Sequence, residues 1–237
     1  MKINEFISEL KKINISVSDN QLEMLDIYAD YLLEYNQKVN LTAIRDKENV
    51  YLKHFFDSML IFNNELLDFN KIETVIDVGT GAGFPGVIIK IFYPHIKLTL
   101  LDSNNKKTTF LETLVQKLKL NDVTIVNDRA ENYVVNNRQK YDVSVARAVS
   151  ELRIISELCL PLTKVGGYFI ALKGHCEEEM KNASITIKKL NSKVEKIYTT
   201  KLPIENSIRN IIFIKNIEII AENYPRRYEQ IVKKPLK

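Results

Sequence analysis

Four of the chain's seven glycines, Gly79, Gly81, Gly83 and Gly86, fall within the twelve residues VIDVGTGAGFPG at 75–86. Asp77 stands two residues before the first of them, and Phe84 and Pro85 separate the last two. Residues without a Cβ let a backbone approach a ligand closely, and the start of a helix offers N–H groups that lack intrahelical partners. Together they describe a small-molecule cradle. Polar residues recur directly after the apolar runs that follow. Asp102 closes Lys97 to Leu101, where a carboxylate can accept from sugar hydroxyls. Asp128, Arg129, Ala130 and Glu131 close a third run, Ala146, Arg147 and Ala148 a fourth, and Lys173, Gly174 and His175 a fifth.

The glycine spacing narrows the ligand. A dinucleotide fingerprint reads G-x-G-x-x-G, whereas this loop reads G-x-G-x-G with Phe84 where the third glycine of that pattern belongs. D-x-G-x-G-x-G with an acid ending the next strand resembles the S-adenosylmethionine loop of Rossmann-like methyltransferases. On this reading Asp77, Gly79, Gly81 and Gly83 shape the cofactor loop, and Phe84 covers the cofactor with its ring. Asp102 takes the ribose, and the third strand end lies near adenine. Arg147 is expected to face the loop, its fork suited to the cofactor's carboxylate or to a nucleic-acid phosphate; an ion pair with Glu151 is the structural alternative. His54 and Asp57, three apart, are helix neighbours that form either a local hydrogen bond or a catalytic element. Arg147, Lys173 and His54 are the positioning candidates, and no general base stands out. Two cysteines, Cys159 and Cys176, are too few for a disulfide framework or a zinc site, so no metal is expected and both thiols are expected reduced.

These residues need elements to hold them. From Ile72 the pattern alternates: strand 75–78, helix 85–92, strand 97–101, helix 104–119, strand 123–126, a short helix near 131, strand 141–146, helix 151–160 and strand 168–172. Two β-rich runs, 193–199 and 209–215, follow as a mixed-sense pair. This is an α/β chain with a mostly parallel, doubly wound sheet and an antiparallel edge strand, in which ligands sit beyond the carboxyl ends of the strands where strand order reverses. Pro85 suits a first helical turn, Ser103 reads as a helix cap, and Gly166, Gly167 and Gly174 read as turns flanking the fifth strand. Residues 1–65 contain neither glycine nor proline and read as a helical cap. Ile3, Phe6, Ile7 and Leu10 form one stripe. Ser18 and Gln21 have capping-box spacing, opening a helix with Leu22, Leu25, Tyr28, Leu32 and Tyr35 on one face. Residues 36–46 read as a loop, and Leu52, Phe55, Phe56, Met59 and Leu60 turn a third helix inward. The expected division is 1–65 for the cap and 66–237 for the Rossmann-like domain, in one compact unit.

Several stretches resemble the bacterial small-subunit rRNA guanine-N7 methyltransferases, the glucose-inhibited division protein B family. They are N-x-x-x-N-L-T at 36–42, H-F-F-D-S at 54–58, D-V-G-T-G-A-G-F-P-G at 77–86, L-D-S-N-x-K-K at 101–107, R-A-E at 129–131, A-R-A at 146–148, L-K-G at 172–174 and Y-P-R-R at 224–227. The resemblance runs in order over nearly the whole chain. It implies methyl transfer from S-adenosylmethionine to N7 of one guanine, known in the family as position 527, in the 530 loop of 16S rRNA. It implies cofactor contacts at Gly79, Phe84, Ala130, Glu131 and Arg147. The tail departs from the family: Tyr228-Glu229-Gln230-Ile231-Val232 replaces a Pro/Gly-containing turn.

The chemistry fits that substrate. A sulfonium methyl is already activated, and guanine N7 offers a lone pair with no proton to lose, so alignment suffices. Adenine-N6 enzymes resemble one another in an N/D-P-P-Y-type signature, where this chain has A-R-A-V; cytosine-C5 enzymes need a thiol, and Cys159 reads as core. The formal charge of +4 permits a polyanionic partner. The RNA grip is expected from Lys106, Lys107 and Lys173 and from Arg226, Arg227, Lys233, Lys234 and Lys237, with Tyr224 interleaved. Charge reversal at Arg226 and Arg227 should weaken RNA binding and spare cofactor affinity. With neither a signal-peptide core nor a membrane-length apolar run, the chain is expected to be cytoplasmic, and nothing points to an obligate dimer, so a monomer is expected. The rivals are a small-molecule methyltransferase and a non-catalytic ribosome-assembly factor.

Overall fold

A computed structural model describes residues 1–236, and Lys237 lies outside the described residues. The cap begins with α1 (Ile3–Lys12) and α2 (Asp19–Asn36). The Ser18 hydroxyl accepts from the Gln21 N–H while the Gln21 side chain accepts from the Ser18 N–H, the expected capping box. After the 37–46 loop come α3 (Lys47–Val50), a widened π-type turn (Tyr51–Phe56) and α4 (Asp57–Met59). Asn36, fully within the protein, pins the loop: its amide donates to the carbonyls of Thr42 (2.9 Å) and Ile44 (3.0 Å) and its oxygen accepts from the N–H of Leu41 (2.8 Å).

The sheet then alternates with helices: β1 (Thr74–Val78), α5 (Gly86–Phe92), β2 (Lys97–Asp102), α6 (Asn105–Lys117), β3 (Val123–Asn127), α7 (Ala130–Tyr133), β4 (Tyr141–Arg147), α8 (Leu152–Cys159), β5 (Thr163–Lys173), α9 (Glu177–Lys189), β6 (Ser192–Lys201), β7 (Ile208–Asn216) and α10 (Tyr228–Lys233). Strand order is β3-β2-β1-β4-β5-β7-β6. β1 pairs in parallel with both β2 and β4, so the chain reverses its direction of winding there. β7 runs antiparallel to β5 and lies one place in from the edge, with β6 outside it.

Strand side chains alternate between two apolar layers. Val75, Val143, Val145 and Ile170 face the cap, α5 and α6. Ile76, Val78, Ala146 and Phe169 face α8 and α9. Three local expectations change. The cap of α6 is Asn104, whose side chain accepts from the Lys106 N–H, not Ser103. Pro85 is the N-cap residue of α5 rather than a member of its first turn. Gly166 and Gly167 lie inside β5, beside the register shift between Tyr141 and Val143, where a Cβ on Gly167 would stand 2.5 Å from the Asp142 carbonyl oxygen. Among the described residues no helix is long and apolar enough to cross a membrane.

Candidate cofactor site

A cavity of about 470 Å³ opens at the carboxyl ends of β1, β2 and β3, beside the β1/β4 reversal. Its size falls in the range of small-molecule sites. Gly79, Asp102, Ala130 and Glu131, all expected from sequence, line it; so do Val149 and Tyr228, which sequence reasoning missed. The residue before each of the first two is apolar, Val78 at the end of β1 and Leu101 next to last in β2, and both face the α8 layer. Gly79 has φ +70°, and a Cβ there would stand 2.8 Å from Val149 Cγ2. The backbone after β4 therefore closes over the loop only because no side chain is present.

The loop bonds to itself and to the end of β2. Gly79 and Thr80 donate to the Leu101 carbonyl at 2.8 and 3.1 Å, Gly83 and Phe84 to the Thr80 carbonyl at 2.9 and 3.1 Å. Gly81 N–H donates to Asp102 Oδ2 (3.0 Å), and Gly86 N–H to Asp77 Oδ2 (2.8 Å). The expected row of free donors at the start of α5 is thus corrected: these N–H groups are satisfied within the protein, and the loop contributes shape. Asp77 is fully buried, also accepts from the Thr80 hydroxyl (2.8 Å), and organises the loop from beneath rather than lining the cavity. Burial pushes its carboxyl up to about 6.

Asp102 keeps capacity for a ligand. Its Oδ2 accepts from Gly81 and from Lys107 Nζ (3.3 Å), and its Oδ1 from the Asn104 N–H (2.9 Å). A carboxylate has about four lone-pair sites, so one remains on a residue that lines the cavity. Three acids, Asp102, Asp128 and Glu131, and two bases, Lys107 and Arg129, line the cavity, a lining suited to a ligand with a cationic centre.

Phe84 and Arg147 lie on the other side, under the cap. The Phe84 ring is buried and stacks with Tyr28 (centroids 5.0 Å, 9°) and His54 (4.5 Å, 16°), which places it against the cap. Tyr28 also donates its hydroxyl to the Ala82 carbonyl. At Gly83, with φ +101°, a Cβ would stand 2.7 Å from that hydroxyl.

The Arg147 guanidinium stands 5.0 Å from the Phe84 ring centroid, facing the loop as expected. Its partner is not Glu151, which pairs with Arg153, but the cap: Arg147 donates to the Lys53 carbonyl (2.9 Å), Asp57 Oδ2 (3.1 Å) and His54 Nδ1 (2.9 Å). His54 and Asp57 therefore meet through Arg147 rather than bonding each other. Arg209 from β7, unmarked in the sequence, donates to Asp57 Oδ1 at 2.8 Å. An acceptor at Nδ1 puts the His54 proton on Nε2, 3.0 Å from the Thr42 hydroxyl. Burial first, then the Arg147 charge, lowers the His54 pKa to about 3.

The expected basic grip divides. Lys106, Arg227, Lys233 and Lys234 are exposed. Lys107 pairs with Asp102, and Lys173 pairs with Glu179 (2.8 Å) and donates to the Ser150 carbonyl. Arg226 is engaged within the protein: its Nε and Nη2 donate to Glu157 at 2.8 and 2.7 Å, and Glu157 is fully buried on α8. Both cysteines are buried, and burial pushes both thiols up, Cys159 far up.

The family described as rRNA small subunit methyltransferase G (GidB) matches residues 21–216. A relative named Ribosomal RNA small subunit methyltransferase G, from Bacillus subtilis (strain 168), is 47% identical over 230 residues, covering 96% of this chain and 95% of its own. The protein of that name from Bacillus cereus (strain ZK / E33L) is 46% identical over the same shares. A solved SAM-dependent methyltransferase from Aquifex aeolicus shares the fold, with TM-score 0.54 and 18% identity over 73% of this chain and 94% of that one. A ribosomal protein L11 methylase from Lactobacillus delbrueckii subsp. bulgaricus gives 0.53 and 14%, over 73% and 81%.

Proposed function

The chain belongs to the rRNA small subunit methyltransferase G family, and from that premise we propose that it methylates N7 of a single guanine in the 530 loop of 16S rRNA. It is an S-adenosylmethionine-dependent methyltransferase with a small-subunit rRNA substrate. The observation that carries the reading to this site is the cavity at the β1/β4 reversal, lined by Gly79, Asp102, Ala130 and Glu131. Bound there, the cofactor supplies a methyl group on a positive sulfonium, ready for transfer to a lone pair.

The chain's own residues then have three tasks. Asp102 accepts from the ribose with its remaining lone pair. Gly79, under Val149, sets how near the backbone comes. Arg147, fixed by Asp57, His54 and the Lys53 carbonyl, keeps a positive charge beside the loop for a carboxylate or a phosphate. No proton has to move, because N7 attacks as a neutral lone pair. The absence of an activated base supports this target: His54 is held neutral with both nitrogens engaged. Raised thiol pKa values argue against a cysteine nucleophile and so against attack through a pyrimidine carbon. Exposed Lys106, Arg227, Lys233 and Lys234 are the proposed RNA contacts. The enzyme works in the cytoplasm, as a monomer, on the 30S subunit or an assembly precursor.

The test is incubation of the protein and labelled S-adenosylmethionine with 30S subunits, naked 16S rRNA and a metabolite mixture. Label in rRNA, with strand scission in the 530 loop after N7-selective treatment, is the expected result. Label confined to small molecules, or scission at a different site, overturns it.

A further inference from the structure

The C-terminal segment does something its sequence does not announce. It crosses the α8 face and is pinned there at several points. Arg138 donates to the carbonyls of Ile220 (2.9 Å), Ala221 (3.1 Å) and Tyr224. The Arg226 backbone and guanidinium both bind Glu157, and Arg226 Nη1 reaches the Lys234 carbonyl (2.8 Å). Ile231 is fully buried, and Thr186 of α9 donates to the Leu236 carbonyl. So anchored, α10 brings Tyr228 to the cavity wall.

The neighbours of Tyr228 say which end of the cavity it serves. Arg129 stands 5.4 Å from its ring centroid, and Arg129 belongs to the Asp128–Glu131 group at the end of β3. Asp102 and the glycine loop occupy the sugar and amino-acid end, which leaves the β3 end for the base. The α8 residues Ile155 and Leu158 line the same cavity, while Glu157 on that helix grips the tail. One helix therefore fixes both the floor of the site and the segment that carries Tyr228. A half-buried aromatic ring beside a cation is a stacking or edge surface for a purine.

We infer that Tyr228 forms part of the wall that receives the purine of the cofactor, so the segment that departs from the family pattern completes the nucleoside end of the pocket. This rests on the cofactor reading above. Tyr228 is a binding residue in this account, and it takes no part in aligning the methyl group.

The chain contains no tryptophan. A Tyr228→Trp protein therefore carries a single indole, whose emission reports directly on a stacked purine. S-adenosylhomocysteine, which cannot turn over, is titrated with emission and calorimetry in parallel. Quenching should saturate at the concentrations where heat saturates. Tyr228→Ala should bind about tenfold more weakly, and Tyr228→Phe should bind like the wild type. Unchanged emission while heat shows binding, or wild-type affinity in Tyr228→Ala, overturns the inference. If Tyr228→Ala fails to fold, the Tyr228→Trp emission decides alone. A wild-type protein giving no heat overturns the cofactor reading itself, a different failure from a wild type that binds with Tyr228 indifferent.

Discussion

Asp57 is one carboxylate serving two guanidiniums, Arg147 and Arg209, from strands 90 and 152 residues away in sequence. It is nearly buried, so each oxygen depends on its partner to offset lost hydration. His54 completes the set as a neutral acceptor, and that has a pH signature. Its folded pKa of about 3 lies below the ordinary 6.5 because of burial and the Arg147 charge. An unfolded imidazole takes its proton near 6.5, the folded one only near 3. The stability held by the neutral ring is thus fully present above pH 6.5 and lost as pH falls toward 3. Asp77 acts with the opposite sign, since its raised pKa favours the folded state while protonated and that contribution fades as pH rises to about 6. His54→Asn keeps an acceptor for Arg147 but cannot titrate. Its melting temperature should fall less between pH 6.5 and 3 than that of the wild type. Parallel curves would show that His54 charges freely in the folded protein.

At the scale of elements, the glycine loop and the C-terminal segment are positioned by opposite means. The loop is held by the absence of side chains. Gly83 combines φ +101° with a Cβ position 2.7 Å from both the Tyr28 hydroxyl and Val87 Cγ2. Gly83→Ala should therefore cost about 2 kcal/mol and lower the melting temperature by about 4–8 °C, read by calorimetry. The tail is held by charge. Removing Arg226 strands the Glu157 carboxylate inside the protein, a loss of about 3–5 kcal/mol. Arg226→Ala should unfold at clearly lower denaturant concentration, and an unchanged midpoint would show that Glu157 finds another partner. Charge reversal at Arg226, expected from sequence to weaken RNA binding, would also break this pair, because a guanidinium bound by a buried acid holds structure as well.

At the scale of the whole molecule, the cavity and the contact between cap and loop lie on different layers of the sheet. The cavity proposed for the cofactor is lined by α8 and C-terminal residues, whereas Phe84, His54 and Arg147 belong to the contact between cap and loop. The exposed cations Arg227, Lys233 and Lys234 lie on neither inner surface. Reversing those three charges should weaken RNA binding while leaving cofactor affinity intact. At about 0.7 per single-strand contact, the slope of log affinity against log salt should flatten by about 2. An unaltered slope would remove the tail from the RNA-binding surface.

The sequence by itself determined the alternation of strands and helices, the place of the glycine loop at the first strand end, and the cofactor class. Those signals are local: a β-branched run, a glycine turn and an apolar helix carry their period within some twenty residues. The cap, too, was legible, because its buried faces repeat at helical spacing. Only the tertiary structure decided that Arg147 answers to Asp57 and His54, that Arg226 answers to Glu157, and that Tyr228 stands at the cavity. The physical reason is that a charged or aromatic side chain is satisfied by whatever packs against it. In this fold that neighbour comes from 69 to 93 residues away for the two arginines, a distance over which no periodic pattern carries information.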